Sequence, residues 1–261
     1  LGVVVVVAAL LPHLRSKPLA RTALVARPAF GLLLLAGIGC AATRALEFRD
    51  ERLLWQHELA SRPLSWRAWW GLGTANLRAG DVQAAIEPLA RAHEIYPGHF
   101  DALRNYAEAL VQLPVGKAQT YRALAVTGMM AERAPLDPWA RTLVAEANLQ
   151  AGRATKEESF FLEAERQALS CLEVASPKGL VYRMAAAARR GMGDFEGALR
   201  HLDTSLAQGL DHVSVRLDRV AVLRELGRAG EAKRELLRAQ RQAPMDPAVQ
   251  QALWQSAQPP R

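Results

Sequence analysis

The sequence predicts an all-α solenoid of helix-turn-helix units, on three observations. Half of the 261 residues are hydrophobic while only 6% are aromatic, and Gly and Pro fall mainly at proposed element ends, as they do between helices. Residues 66–97, WRAWWGLGTANLRAGDVQAAIEPLARAHEIYP, form two amphipathic runs around a turn at Ala79, Gly80 and Asp81. Looser versions of the same pattern begin at Phe100, Pro138, Gly179 and Val213, after spacings of 34, 38, 41 and 34 residues. A single pair of this kind cannot bury its own apolar face, so neighbours are a packing requirement.

Within 66–97, Trp69, Leu72, Gly73, Ala85, Leu89, Ala92 and Pro97 occupy positions 4, 7, 8, 20, 24, 27 and 32. This spacing resembles the tetratricopeptide repeat (TPR), a helix-turn-helix unit of about 34 residues. The physics agrees. Gly73, Ala85 and Ala92 let two antiparallel helices approach closely, Trp69, Leu72 and Leu89 fill the space around them, and Pro97 stops the second helix. The resemblance implies a TPR superhelical solenoid of about five repeats plus a capping helix over residues 66–257. One or two transmembrane helices are expected to precede it.

The chain opens inside an apolar run, LGVVVVVAALL, expected to be a truncated first helix over 1–14 of a longer protein. A basic loop over 12–27 carries Arg15, Lys17, Arg21 and Arg27 without an acid. Residues 28–43 contain no charge, and with flanking residues a transmembrane helix is expected over about 24–46, since spanning needs about 20 apolar residues. By the positive-inside rule the basic loop is cytoplasmic and the repeats extracytoplasmic, either periplasmic beyond an inner membrane or luminal. Residues 47–65 are expected to form a charged connecting helix ending near Pro63.

The repeats are read as 66–99, 100–137, 138–178, 179–212 and 213–246, with a cap over 247–257. Extra residues around 114–117 lengthen the turn of the second. In the third, PWARTLVAEANLQAG echoes WRAWWGLGTANLRAG, and the insertion RATKEESFF displaces the second helix.

Composition excludes several functions. The net charge is +7, but no acid precedes Glu47, so much of the excess lies at the amino terminus. Arginines in the repeats alternate with acids as on a solvated surface, and nucleic acid is not expected as a partner. Cys40 and Cys171 have no metal-spaced partner and read as buried free thiols. The six histidines form no HExxH pattern, and no phosphate-binding glycine loop occurs. No catalytic residue, metal or cofactor is expected within these residues.

What the TPR resemblance implies instead is a concave groove lined by the first helix of each repeat, binding an extended peptide or a partner helix. Positions 2, 5, 6, 9 and 12 of each unit supply the candidates. They are Arg67, Trp70 and Thr74, then Asp101, Arg104, Asn105 and Glu108, then Trp139 and Glu146, then Arg183 and Arg190, and finally Arg224. Trp70 and Trp139 either anchor an apolar or planar ligand group or pack against neighbouring helices. The mixed signs along the groove select no ligand charge, and the Lys and Asn arrangement of carboxylate-clamp repeats is not reproduced.

The expected function is a membrane-anchored TPR module that scaffolds or recruits a partner polypeptide on the extracytoplasmic side. The alternative is the acceptor-recruiting tail of a membrane glycosyltransferase. The helix ending LLWQHELASRP followed by WRAWWGLG resembles the carboxy-terminal region of membrane-embedded O-mannosyltransferases that carry TPR repeats. The catalytic part of such an enzyme would lie upstream of this chain.

Overall fold

Nearly every first helix of a pair begins where the sequence supplies an acceptor for its orphan N–H groups. Ser65 Oγ accepts from the Ala68 N–H and Asp137 Oδ1 from the Trp139 N–H. His99 and His212 do the same with Nδ1, towards the Ala102 and Ser214 N–H groups at 3.1 and 3.3 Å. Two of the histidines are therefore helix caps.

The computed structural model describes residues 51–113, 116–173 and 178–257. They hold twelve helices: α1 (Glu51–Ser61), α2 (Trp66–Arg78), α3 (Val82–Ile95), α4 (Phe100–Gln112), α5 (Lys117–Arg133), α6 (Pro138–Thr155), α7 (Glu158–Leu169), α8 (Lys178–Gly191), α9 (Phe195–Ala207), α10 (Val213–Glu225), α11 (Ala229–Gln242) and α12 (Pro247–Ala257). Residues 59–261 form one compact unit. Within it α2 to α11 are five antiparallel pairs, each packed on the next, and α12 closes the last. This is an all-α solenoid.

Close approach defines each pair. A Cβ on Gly73 would lie 2.5 Å from Leu89 Cγ and 3.2 Å from the Leu89 backbone nitrogen, and Leu89 is fully buried. Gly80, at φ +77°, makes the tight reversal between α2 and α3 that an L side chain rarely adopts. Asn76 then reaches across it, donating from Nδ2 to the Ala84 carbonyl at 3.0 Å.

The third pair differs: its second helix starts 20 residues after its first, at Glu158 after Pro138, against 16 in the first pair. Of the residues expected as an insertion, Arg153–Thr155 extend α6 to 18 residues and Glu158–Phe161 open α7, and the left-handed position falls on Lys156, at φ +66°. Asn148, the counterpart of Asn76, consequently bonds back within its own helix to the Val144 carbonyl. Helix α7 starts immediately afterwards, and Phe161 enters the core. Its ring fills the space where a Cβ on Gly152 or Gly191 would stand, 2.8 Å away for Gly152 and closer still for Gly191. Cys171 is buried and free, and burial raises the pKa of its thiol.

The core falls into two large clusters. One joins Leu89, Leu103, Leu110 and Met130 across the first three pairs, and the other joins Leu202, Val220, Leu223 and Leu236 across the last two. Between them lie smaller clusters around Phe161 and around Cys171.

Some charges that read as solvated are inside. Glu235, only 1% exposed, accepts from Arg216 at 2.5 Å, Arg219 at 2.9 Å and Arg238 at 3.2 Å. Glu165 is likewise buried, with Arg189 at 2.7 Å and His201 Nε2 at 3.0 Å. Burial of such carboxylates is tolerated because cations stand against them in the folded state.

The membrane part of the expected architecture is corrected. Among the described residues no helix is long and apolar enough to cross a membrane. The longest, α6, carries Arg141, Glu146 and Arg153 along its length, so it has a polar face where a spanning helix has none. The spans expected over 1–14 and 24–46 lie outside the described residues, as does Cys40. The membrane-anchored fold, the membrane as a partner, and the inner-membrane, periplasmic or luminal localisation derived from them are set aside.

Gly73→Ala should destabilise by about 1–3 kcal/mol through overpacking on Leu89. Gly128, inside α5 with open space around it, gives the opposite sign: Gly128→Ala should stabilise by about 0.5–1 kcal/mol. Urea titrations of the two variants measure both. Glu235→Ala should cost about 3 kcal/mol, the low end for a broken buried pair because Arg216 and Arg219 keep Asp211 and Asp203; the same titration reads it.

Candidate functional site

Along α6, Trp139, Thr142, Glu146, Leu149 and Arg153 form one stripe, and along α8 so do Leu180, Arg183, Met184, Ala187 and Arg190. With Asp218 and Val222 of α10 they line an open cavity of about 640 Å³. Its floor is apolar, reaching Leu202 of α9. The first helices of the last three pairs thus face one cleft.

Of the candidate residues, the structure brings four together here: Trp139, Glu146, Arg183 and Arg190. Trp139 is 48% exposed and Leu180 beside the same cavity 42%. The indole ring is not packed away. Arg183 Nε donates to Asp218 Oδ2 at 2.6 Å, bridging α8 and α10. Glu146 reaches solvent at the mouth, yet the surrounding protein raises its carboxyl pKa by desolvation, opposed by the charges of Arg153 and Arg183. Among the described residues Arg153 and Arg190 make no ion pair, and both are exposed.

The candidates of the first two pairs are elsewhere and largely satisfy one another. Trp70 packs on the first core cluster and on His99, with ring centroids 5.0 Å apart. With the Asn105 amide turned so that its oxygen faces the indole, that oxygen accepts from the Trp70 Nε1–H at 3.1 Å and lies 3.0 Å from Thr74 Oγ1, while the amide nitrogen donates to the Asp101 carbonyl at 3.3 Å. These contacts tie α2 to α4, so Trp70 takes the packing role. Arg104 pairs with Asp101 at 3.6 Å, Glu108 accepts from Gln112, and Arg67 lies over the Trp66 ring at 5.4 Å. Arg224 instead clasps the cap, donating to the Ala252 carbonyl at 3.3 Å and to Ser256 Oγ beside a smaller hollow between α10 and α12.

Thr142, Leu149, Leu180, Met184, Ala187 and Asp218 went unnamed in the sequence, although positions 2, 5, 6, 9 and 12 designate all six. An aliphatic residue or an acid beside arginines carries no ligand signal of its own. Arg153 lies one turn beyond the pattern, on the extension of α6 that the sequence presents as a loop. Among the described residues no group of three or more His, Cys, Asp or Glu is placed to hold a metal ion.

Five antiparallel helix pairs with a cleft across their first helices define an α-helical repeat protein. Family models described as tetratricopeptide repeat match residues 39–100 and 189–254, and the chain belongs to the tetratricopeptide repeat family. The first match begins inside the stretch expected to span a membrane. Among solved structures, the chain is similar to a thermophilic TPR protein of Thermus thermophilus, at 19% identity and a TM-score of 0.61 over 74% of this chain and 98% of that one. It is similar to PilW, a widely conserved type IV pilus biogenesis factor, at 18% identity and 0.59 over 83% and 96%. It also resembles YrrB, described as a TPR protein with an unusual peptide-binding site, at 19% and 0.54 over 67% and 86%. At these identities the likeness establishes the fold. No curated protein matches the chain, and the resemblance to O-mannosyltransferases gains no support.

Because desolvation raises the folded-state pKa of Glu146, its ionisation disfavours the fold: stability present at low pH declines as pH rises from the unfolded value, about 4.3, through the raised one. Glu146→Gln should therefore raise the melting temperature at pH 7 by about a degree, small because the side chain is partly solvated, and leave it nearly unchanged near pH 4. Thermal melts at the two pH values test the sign.

Proposed function

We propose that this chain is a protein-interaction module that holds an extended peptide segment of a partner in the cleft across α6, α8 and α10. The observation that carries this reading is the exposure of Trp139 and Leu180 over an open, apolar-floored cavity of about 640 Å³. An exposed Trp beside an apolar hollow is the arrangement from which interface anchors are built. The peptide-binding site in the name of YrrB supports the reading by analogy of fold. Repeats 66–99, 100–137, 138–178, 179–212 and 213–246 and the cap over 247–257 are proposed as the organisation that presents this cleft.

In this scheme the first two repeats hold the array together through Trp70, Thr74 and Asn105, while the third, fourth and fifth carry the ligand. The two tryptophans therefore have opposite duties. In selection from a random peptide display library, Trp139→Ala should weaken the recovered peptides at least about tenfold while leaving helicity and melting temperature near those of the parent. Trp70→Ala should lower the melting temperature by several degrees and spare peptide affinity at a temperature where the array is folded. Peptides whose affinity is indifferent to Trp139 would overturn the assignment.

A further inference from the structure

The cleft has two chemically different ends. Helices α6 and α8, separated by one antiparallel helix, run in the same direction, so their amino-terminal ends share a side. There stand Trp139 and Leu180, both exposed. At the carboxy-terminal ends stand Arg153 and Arg190. The spacing follows from the helices: 14 residues from Trp139 to Arg153 and ten from Leu180 to Arg190 are about 21 and 15 Å at 1.5 Å per residue.

The sign of the cleft emerges only when its charges are paired off. Arg183 is held by Asp218 at 2.6 Å, and Arg104 in the second repeat by Asp101. Arg153 and Arg190 are left without an ion pair among the described residues, each exposed to solvent at the cavity rim. Glu146, which lines the same cavity, is itself disfavoured as an anion by desolvation. Each guanidinium in that state presents a planar fork of N–H donors that matches a carboxylate bidentately.

We propose that the ligand is a short extended peptide whose apolar side chain seats between Trp139 and Leu180 and whose carboxylate, about five or six residues away at ~3.3 Å per residue, is bound by Arg153 and Arg190. This rests on the peptide-binding reading of the same cleft and adds polarity and charge to it. The carboxylate belongs either to an Asp or Glu side chain or to the chain terminus; both present the same planar anion.

The test is a tethered octapeptide array probed with the full chain, followed by solution affinities of the recovered peptides. Binders should pair an apolar residue with an acid five or six positions away. The double variant Arg153→Glu with Arg190→Glu should lose them by more than about tenfold and gain their Lys-for-acid counterparts, whereas Arg153→Gln with Arg190→Gln should lose them without that gain. Neither substitution breaks an ion pair among the described residues, and circular dichroism confirms that the variants stay folded. Amidating the peptide terminus assigns the carboxylate: retained affinity gives it to a side chain, lost affinity to the terminus, and either supports the proposal. Binders that require Trp139 but ignore or avoid acids would overturn the proposal while leaving the peptide-binding reading intact. Binders that ignore Trp139, or none at all, would overturn both. A single-stranded oligonucleotide that displaces the peptides at lower concentration than the peptides themselves would overturn it in favour of nucleic acid.

Discussion

The distance between paired helices is the constraint on which the rest of this structure depends. At Gly73 the absence of one carbon lets Leu89 sink fully into the neighbouring helix, and Ala85 and Ala92 keep the same interface thin. Where the pairs are less regular, an aromatic ring substitutes for close backbone contact: Phe161 occupies the space left by Gly152 and Gly191. Both solutions serve close packing, one by removing volume and one by filling it.

That packing leaves exposed side chains on the cleft face of the first helices only in part committed to structure in the second half of the array. In the first half, Trp70, Thr74 and Asn105 are engaged with one another. In the second half the inter-repeat contacts are carried by Phe161, by the Arg183–Asp218 and Arg219–Asp203 bridges and by the buried carboxylate Glu165. Trp139, Leu180, Arg153 and Arg190 remain available, and the cavity lies among them. A division of labour between holding and binding is thus built into successive repeats of one fold.

The repeat signature was legible because close approach demands small residues at fixed spacing, and Gly73, Ala85, Leu89 and Pro97 display them plainly. The caps His99 and His212 were not legible, because that residue type has several uses. The boundary of α6 was hidden because RATKEES is polar and reads as a loop until Lys156 is seen to take the reversal. The site was half legible. Positional reasoning reached α6, α8 and α10, yet it could not separate a paired arginine such as Arg183 from one such as Arg190 with no ion pair among the described residues, nor a buried Glu235 from a surface acid. Those distinctions depend on what the neighbouring helix presents, which periodicity along one helix does not contain.

The extra turn of α6 has a mechanical consequence. It places an irregular joint, with its small clusters around Phe161 and Cys171, between two larger and more regular cores. In a one-dimensional array each block draws cooperativity only from its neighbours, so this joint is the route by which the two blocks feel one another. The cleft straddles that joint, opening from α6 on one side to α10 on the other. A ligand lying across it therefore acts as a splint, adding contacts that tie the two blocks to each other directly.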